Sequence, residues 1–181
     1  MFESEVYEIK QKLMAFGNKY SIYEDGEKIL DSGQKKLKLK EDFRFKDTEG
    51  NPILKVTTDQ ILDVAASYTV VDERNDETVG ALKRKFTFFA HEWEIIGADN
   101  RVIGTLKEDN KIMALARRFV TTLIPFSYRI ISQKGNDIGK LDGKFSIRDR
   151  YVLDLSDDKE DELDPRLGVA ASVLVDAIEK N

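Results

Sequence analysis

The chain has 181 residues, 41% of them hydrophobic and 35% charged, with a formal net charge of -5 from 29 Lys and Arg against 34 Asp and Glu. A chain of this size reads as a single domain, residues 1–181, which buries about 70% of its unfolded surface and needs no disulfide or metal to fold. Its lack of cysteine excludes disulfides and thiolate chemistry, its single histidine argues against a histidine-built metal site, and its acidic balance argues against nucleic acid as a partner.

Met1 to Lys12 carries Glu3, Glu5 and Glu8, and does not follow the order of a signal peptide. No apolar run reaches the roughly eighteen residues of a membrane helix, so no transmembrane segment is expected and the expected location is cytoplasmic. Val6 to Met14 and Tyr20 to Tyr23 read as extended segments, with a turn signal at Glu24-Asp25-Gly26-Glu27. Lys36-Leu37-Lys38-Leu39-Lys40 alternates strictly, as a half-buried strand does, and Phe43-Arg44-Phe45-Lys46 repeats the pattern. A second turn cluster at Asp47 to Pro52 precedes Ile53-Leu54-Lys55-Val56.

An internal repeat follows. Val79-Gly80-Ala81-Leu82 matches Ile103-Gly104-Thr105-Leu106 and Ile138-Gly139-Lys140-Leu141. Each copy stands behind a polar turn, and each turn stands behind an apolar strand. The unit is a β-hairpin ending in a β-branched residue, glycine, any residue, leucine. A glycine at that place in a strand signals a bulge, a bend or a close backbone approach. The Glu24 and Asp47 turns read as two weaker copies without the glycine. Gly80 to Gly104 is 24 residues and Gly104 to Gly139 is 35, which is 11 more. The excess falls around Asp109 to Ile124, where Ile112, Leu115, Ala116, Phe119, Val120 and Leu123 follow helical spacing, and Pro125 should end the helix.

Asp157 to Asp164 is an acidic stretch. Asp164 is placed to cap a helix and Pro165 to be its first residue. Leu167 to Ile178 is interrupted by polar atoms only at Ser172 and Asp176, so this helix is apolar nearly all round and should be buried on every side. Many short hairpins and one all-apolar terminal helix together predict a mainly β fold, a barrel closed around that helix, since closure removes exposed strand edges.

In the order of these features the chain resembles the LURP-one-related family, which has the tubby C-terminal-like fold and is related to the phospholipid scramblases. The resemblance runs from about Tyr7 to Glu179. It is carried by Leu13 to Tyr20, Tyr20-Ser21-Ile22-Tyr23, Phe43 to Asp47, Gly50-Asn51, the three Gly-x-Leu hairpins and Leu167 to Ile178. It implies a closed antiparallel barrel of about twelve strands around the C-terminal helix, with one additional surface helix. It assigns no biochemical activity.

Several functional readings follow. Tubby-type domains bind phosphoinositides through basic groups. The candidates here for an anionic phospholipid headgroup or a phosphorylated ligand are Lys36, Lys38 and Lys40, then Lys83, Arg84 and Lys85, then Arg117 and Arg118. Each set also reads as a solubilising strand or helix face. The inserted helix, with Arg117, Arg118 and Phe119, reads as an interfacial helix or as one packed on the barrel. Scramblase relatives are linked to calcium through an acidic segment before the terminal helix. Here, counting from Asp154 puts Lys159 where a calcium loop needs glycine and Pro165 where it needs glutamate, so the stretch reads as a solvated linker and no metal is expected. His91 and Glu92 are adjacent rather than convergent and form no catalytic geometry. The expected function is a non-enzymatic binding module without a cofactor. The alternative is a structural or protein-interaction domain without a small ligand.

Overall fold

A computed structural model describes residues 1–14, 17–34, 43–59, 67–85, 92–109, 127–144 and 150–179. Twelve strands run in chain order. They are β1 (Val6–Met14), β2 (Gly17–Glu24), β3 (Glu27–Gln34), β4 (Phe43–Lys46), β5 (Pro52–Asp59) and β6 (Ser67–Asp72). They continue as β7 (Glu77–Lys85), β8 (Glu92–Gly97), β9 (Val102–Glu108), β10 (Ser127–Ser132), β11 (Asp137–Lys144) and β12 (Arg150–Asp154). Each pairs antiparallel with the next and β1 pairs with β12, which closes the barrel. The helix α1 (Pro165–Glu179) follows. The helix expected over Asp109 to Ile124 lies outside the described residues except for Asp109.

The hairpin repeat is built on one device. In the β6–β7 pair Val70 faces Gly80 and Val71 faces Thr78, which leaves Val79 as an extra residue. The same shift leaves out Ile103 in β9 and Ile138 in β11. It also leaves out Ile29 in β3 and Ile53 in β5, the two copies that lack the glycine. All five extra residues are β-branched. A bulge breaks alternation, so Val79 and Gly80 are both buried, as are Ile138 and Gly139. The extra side chain thereby turns inward at the turn-bearing end, and the bulge adds the twist a closed sheet needs.

The glycines are required by close approach. A Cβ on Gly80 would lie 2.4 Å from the Ile96 carbonyl oxygen, and one on Gly104 would lie 2.7 Å from that of Ile131. Gly80 also has φ +155, which side-chain-bearing residues rarely adopt. The turns suit their residues as well. Asp25 and Gly26, with φ 50 and 82, make the two-residue hairpin that favours this dipeptide.

Inward-facing residues from every strand share one buried core with α1, and β1, β7 and β12 lie nearest to it. Leu167 to Ala177 are all buried, so no face of the helix is left for solvent. Each large apolar side chain there contributes about 1.5–3 kcal/mol relative to exposure. Asp164 caps the start, accepting the Arg166 N–H at 2.8 Å. Ser172 donates to the Gly168 carbonyl at 2.9 Å, and Asp176, fully buried, accepts from the Tyr20 hydroxyl at 2.9 Å. Each of these two side chains therefore has a hydrogen-bond partner within the barrel. No helix among the described residues is long and apolar enough to cross a membrane.

Candidate functional site

Among the described residues, two places could receive a ligand. One is a cleft of about 860 Å³ at the turn-bearing end, above the start of α1. Val79, Ile103, Leu155 and Leu167 lend it apolar surface, and Glu3, Glu5, Asp99 and Asp161 give it an acidic character. Residues 1–5 form one wall. The Glu24 carboxylate holds that wall by accepting N–H bonds from Phe2, Glu3 and Ser4 at 3.2, 2.6 and 3.0 Å. Burial alone would raise the Glu24 carboxyl, and these three donors bring it below its ordinary value.

The cleft has two guanidinium groups, Arg74 and Arg166, and both are already engaged. Asp72, 1% exposed, accepts from Arg74 at 2.6 and 2.9 Å and from Arg166 at 2.9 Å. Arg74 first, then Arg166, hold the Asp72 carboxyl far below the usual range against the opposing effect of burial. Arg166 also grips Asp164 at 2.6 Å. No charge is left over here for an anion.

The acidic linker has local work. Asp158 accepts the N–H groups of Glu162 and Leu163 at 2.9 and 2.8 Å, while Glu160 and Glu162 pair with Lys134. Among the described residues no group of three or more acidic or histidine side chains is arranged to hold a metal ion.

The second place is the outer wall over β1 to β5. Lys12 faces Lys19, Lys19 faces Gly33, Gly33 faces Arg44, and Arg44 faces Lys55, each on the neighbouring strand. The residues flanking these positions, such as Gln11, Tyr20, Ser32, Phe43, Phe45 and Leu54, are buried. Alternation therefore turns the row outward. Lys12, Lys19 and Arg44 are exposed, with Lys55 half-buried. None of these four cations has an ion pair among the described residues.

Cations also face one another elsewhere on the wall, Lys107 with Arg129 and Arg129 with Lys140, and Lys144 with Arg150 and Arg150 with Lys10, but most of these have an acidic partner. Lys10 and Arg150 pair with Glu8, Lys85 with Glu94 and Glu92, Arg129 with Asp137, and Lys140 with Asp154. Lys83 faces Glu94 and Lys107 faces Glu92 across a strand boundary. Like charges set opposite each other on a sheet cost up to about 1 kcal/mol per pair. The row carries that cost with no acidic residue in it to offset it. The nearest acid on β3, Asp31, is bound to Lys28 and to the Ser21 hydroxyl, each at 2.7 Å. Burial would raise its carboxyl, and those bonds, with the Lys19 charge behind them, bring it down.

The basic residues singled out in the sequence fare unevenly. Lys36, Lys38, Lys40, Arg117 and Arg118 lie outside the described residues, as does His91. Lys83 and Lys85 point outward from β7, and Glu94 first, then Glu92, raise the Lys85 ammonium above its ordinary value. Arg84 shares the face of the buried Leu82 and stands opposite buried Trp93, so these three residues form no common patch. The row Lys12–Lys19–Arg44–Lys55 was not evident in the sequence, where each member is one polar residue of an alternating strand.

The family model described as LURP-one-related matches residues 30–176, from within β3 to the last turns of α1. No curated protein matches the chain.

Proposed function

The chain belongs to the LURP-one-related family, and we propose that it acts as a non-enzymatic module that binds phosphoryl-bearing anions on the outer wall of β1 to β5. The ligand class is an anionic phospholipid headgroup or its soluble phosphorylated equivalent. The observation that carries this reading is the row Lys12, Lys19, Arg44 and Lys55, aligned across β1 to β5 with Gly33 at its centre and without an ion pair among the described residues. Arg44 brings a planar fork that matches two phosphoryl oxygens, and the lysines bring mobile point charges. The proposed role asks for no bond-making chemistry, only for charge held at a fixed spacing by the sheet.

The test is sedimentation with vesicles of phosphatidylcholine alone, with added phosphatidylserine, or with added phosphatidylinositol phosphate. Free inositol phosphate is the soluble competitor. Binding confined to the anionic vesicles and weakened by salt is expected, because exposed charges are screened beyond about 10 Å at 0.1 M salt. Indifference to all three vesicles and to the competitor would remove the reading. The acidic end cleft favours a second reading, docking of a basic protein segment with no small ligand. That reading predicts no vesicle binding, with binding of an oligolysine peptide that is lost in Glu5→Lys.

A further inference from the structure

We infer that Gly33 is the seat of the phosphoryl group within the proposed anion site. This deepens the reading above and rests on it. Turn glycines such as Gly26, Gly50 and Gly135 are required by positive φ. Gly80, Gly104 and Gly139 are required because a Cβ would run into a neighbouring carbonyl. Gly33 has neither reason. Its φ is not positive, and a Cβ built on it meets nothing within 4 Å among the described residues. A glycine inside a strand loses stability relative to residues with side chains, and where the fold does not need it, it marks a place where something else approaches the backbone.

What flanks that gap is specific. Lys19 stands on one side and Arg44 on the other, each the direct cross-strand partner of Gly33. They are two strand spacings apart, about 10 Å. A phosphoryl group over Gly33 lies within reach of both long side chains. Any side chain at position 33 would project outward into that space. The strand N–H groups serve the sheet, so the glycine contributes room and the two cations contribute the bonds. Asp31, two residues away, is taken up by Lys28 and Ser21.

The experiment compares wild type with Gly33→Val, Gly33→Ala and the double variant Lys19→Glu/Arg44→Glu. Binding is read on phosphatidylcholine vesicles carrying phosphatidylinositol phosphate, with and without free inositol phosphate, alongside thermal unfolding. The expected result is that Gly33→Val unfolds at or above the wild-type temperature yet binds about tenfold more weakly, the loss of one hydrogen bond to a charged group. Competition by free inositol phosphate assigns the seat to a headgroup phosphate. Vesicle binding that the valine weakens but free phosphate does not displace assigns it to phosphate within the lipid surface. If Gly33→Val binds as wild type while the double variant has lost binding, the seat is wrong and the wider reading stands. If the double variant also binds as wild type, both fail. If Gly33→Val does not fold and Gly33→Ala unfolds several degrees early, the fold itself requires the glycine and the inference is overturned.

Discussion

The Tyr20 hydroxyl donates to the Asp176 carboxylate at 2.9 Å, joining β2 to the last turn of the central helix through the barrel interior. Gln11 donates to the same hydroxyl at 3.3 Å and accepts from Tyr151 at 3.2 Å, so the chain of bonds crosses the seam where β1 meets β12. A polar group inside an apolar barrel is tolerated only when it is bonded. Tyr20→Phe removes a donor from that chain with no change of shape. It should cost about 1–3 kcal/mol in chemical denaturation. A loss within experimental error of zero would show that the helix is not held at this point.

Asp72 gives the fold an acid limit. Its carboxyl is held far below the usual range by Arg74 and Arg166, so the group is depressed in the folded state. The stabilisation is therefore complete above the unfolded value, near pH 4, and is lost as pH falls through and below it. Asp72→Asn should flatten the decline in stability between about pH 5 and pH 2 while lowering stability at neutral pH by about 3 kcal/mol. An unchanged acid profile in the variant would contradict this.

Gly80 and Gly33 should respond oppositely to alanine. At Gly80 the new Cβ meets the Ile96 carbonyl at 2.4 Å with φ +155, and Gly80→Ala should cost about 3 kcal/mol or more. At Gly33 no described residue lies within 4 Å of the new Cβ, and alanine should leave thermal stability unchanged or slightly raised. Equal effects at the two positions would mean that the bulge does not set the requirement.

Glu24 should control the wall formed by residues 1–5. Glu24→Ala removes the acceptor for three backbone N–H groups. Hydrogen exchange at Phe2, Glu3 and Ser4 should then quicken by about tenfold or more, as a locally opened segment does, while amides in β8 keep their protection. Unchanged exchange at those three positions would place the hold elsewhere.

The barrel was legible because its signals are local. A bulge needs a β-branched residue to turn inward and a small residue at the tight approach, and Val79-Gly80, Ile103-Gly104 and Ile138-Gly139 state this within two positions. The two copies without glycine keep the β-branched member, Ile29 and Ile53, with Leu30 and Leu54 in the glycine's place. The helix was legible because Leu167 to Ile178 leaves only a buried location open to it. The basic row was hidden for the opposite reason. Lys12, Lys19, Arg44 and Lys55 become neighbours only through strand register, which no short stretch encodes. The alternating lysines at 36, 38 and 40 are conspicuous in the sequence because their pattern is contiguous.

The most direct test sets two charge reversals of equal size against each other. Lys19→Glu/Arg44→Glu strikes the row on β1 to β5, and Lys83→Glu/Lys107→Glu makes the same change in net charge on β7 and β9. Binding to phosphatidylcholine vesicles carrying phosphatidylinositol phosphate is measured for both at the same salt concentration. The account predicts that the first variant loses binding while the second stays within about twofold of wild type, since the second touches only diffuse attraction. Equal losses in the two would show that net charge, not the row on β1 to β5, governs binding.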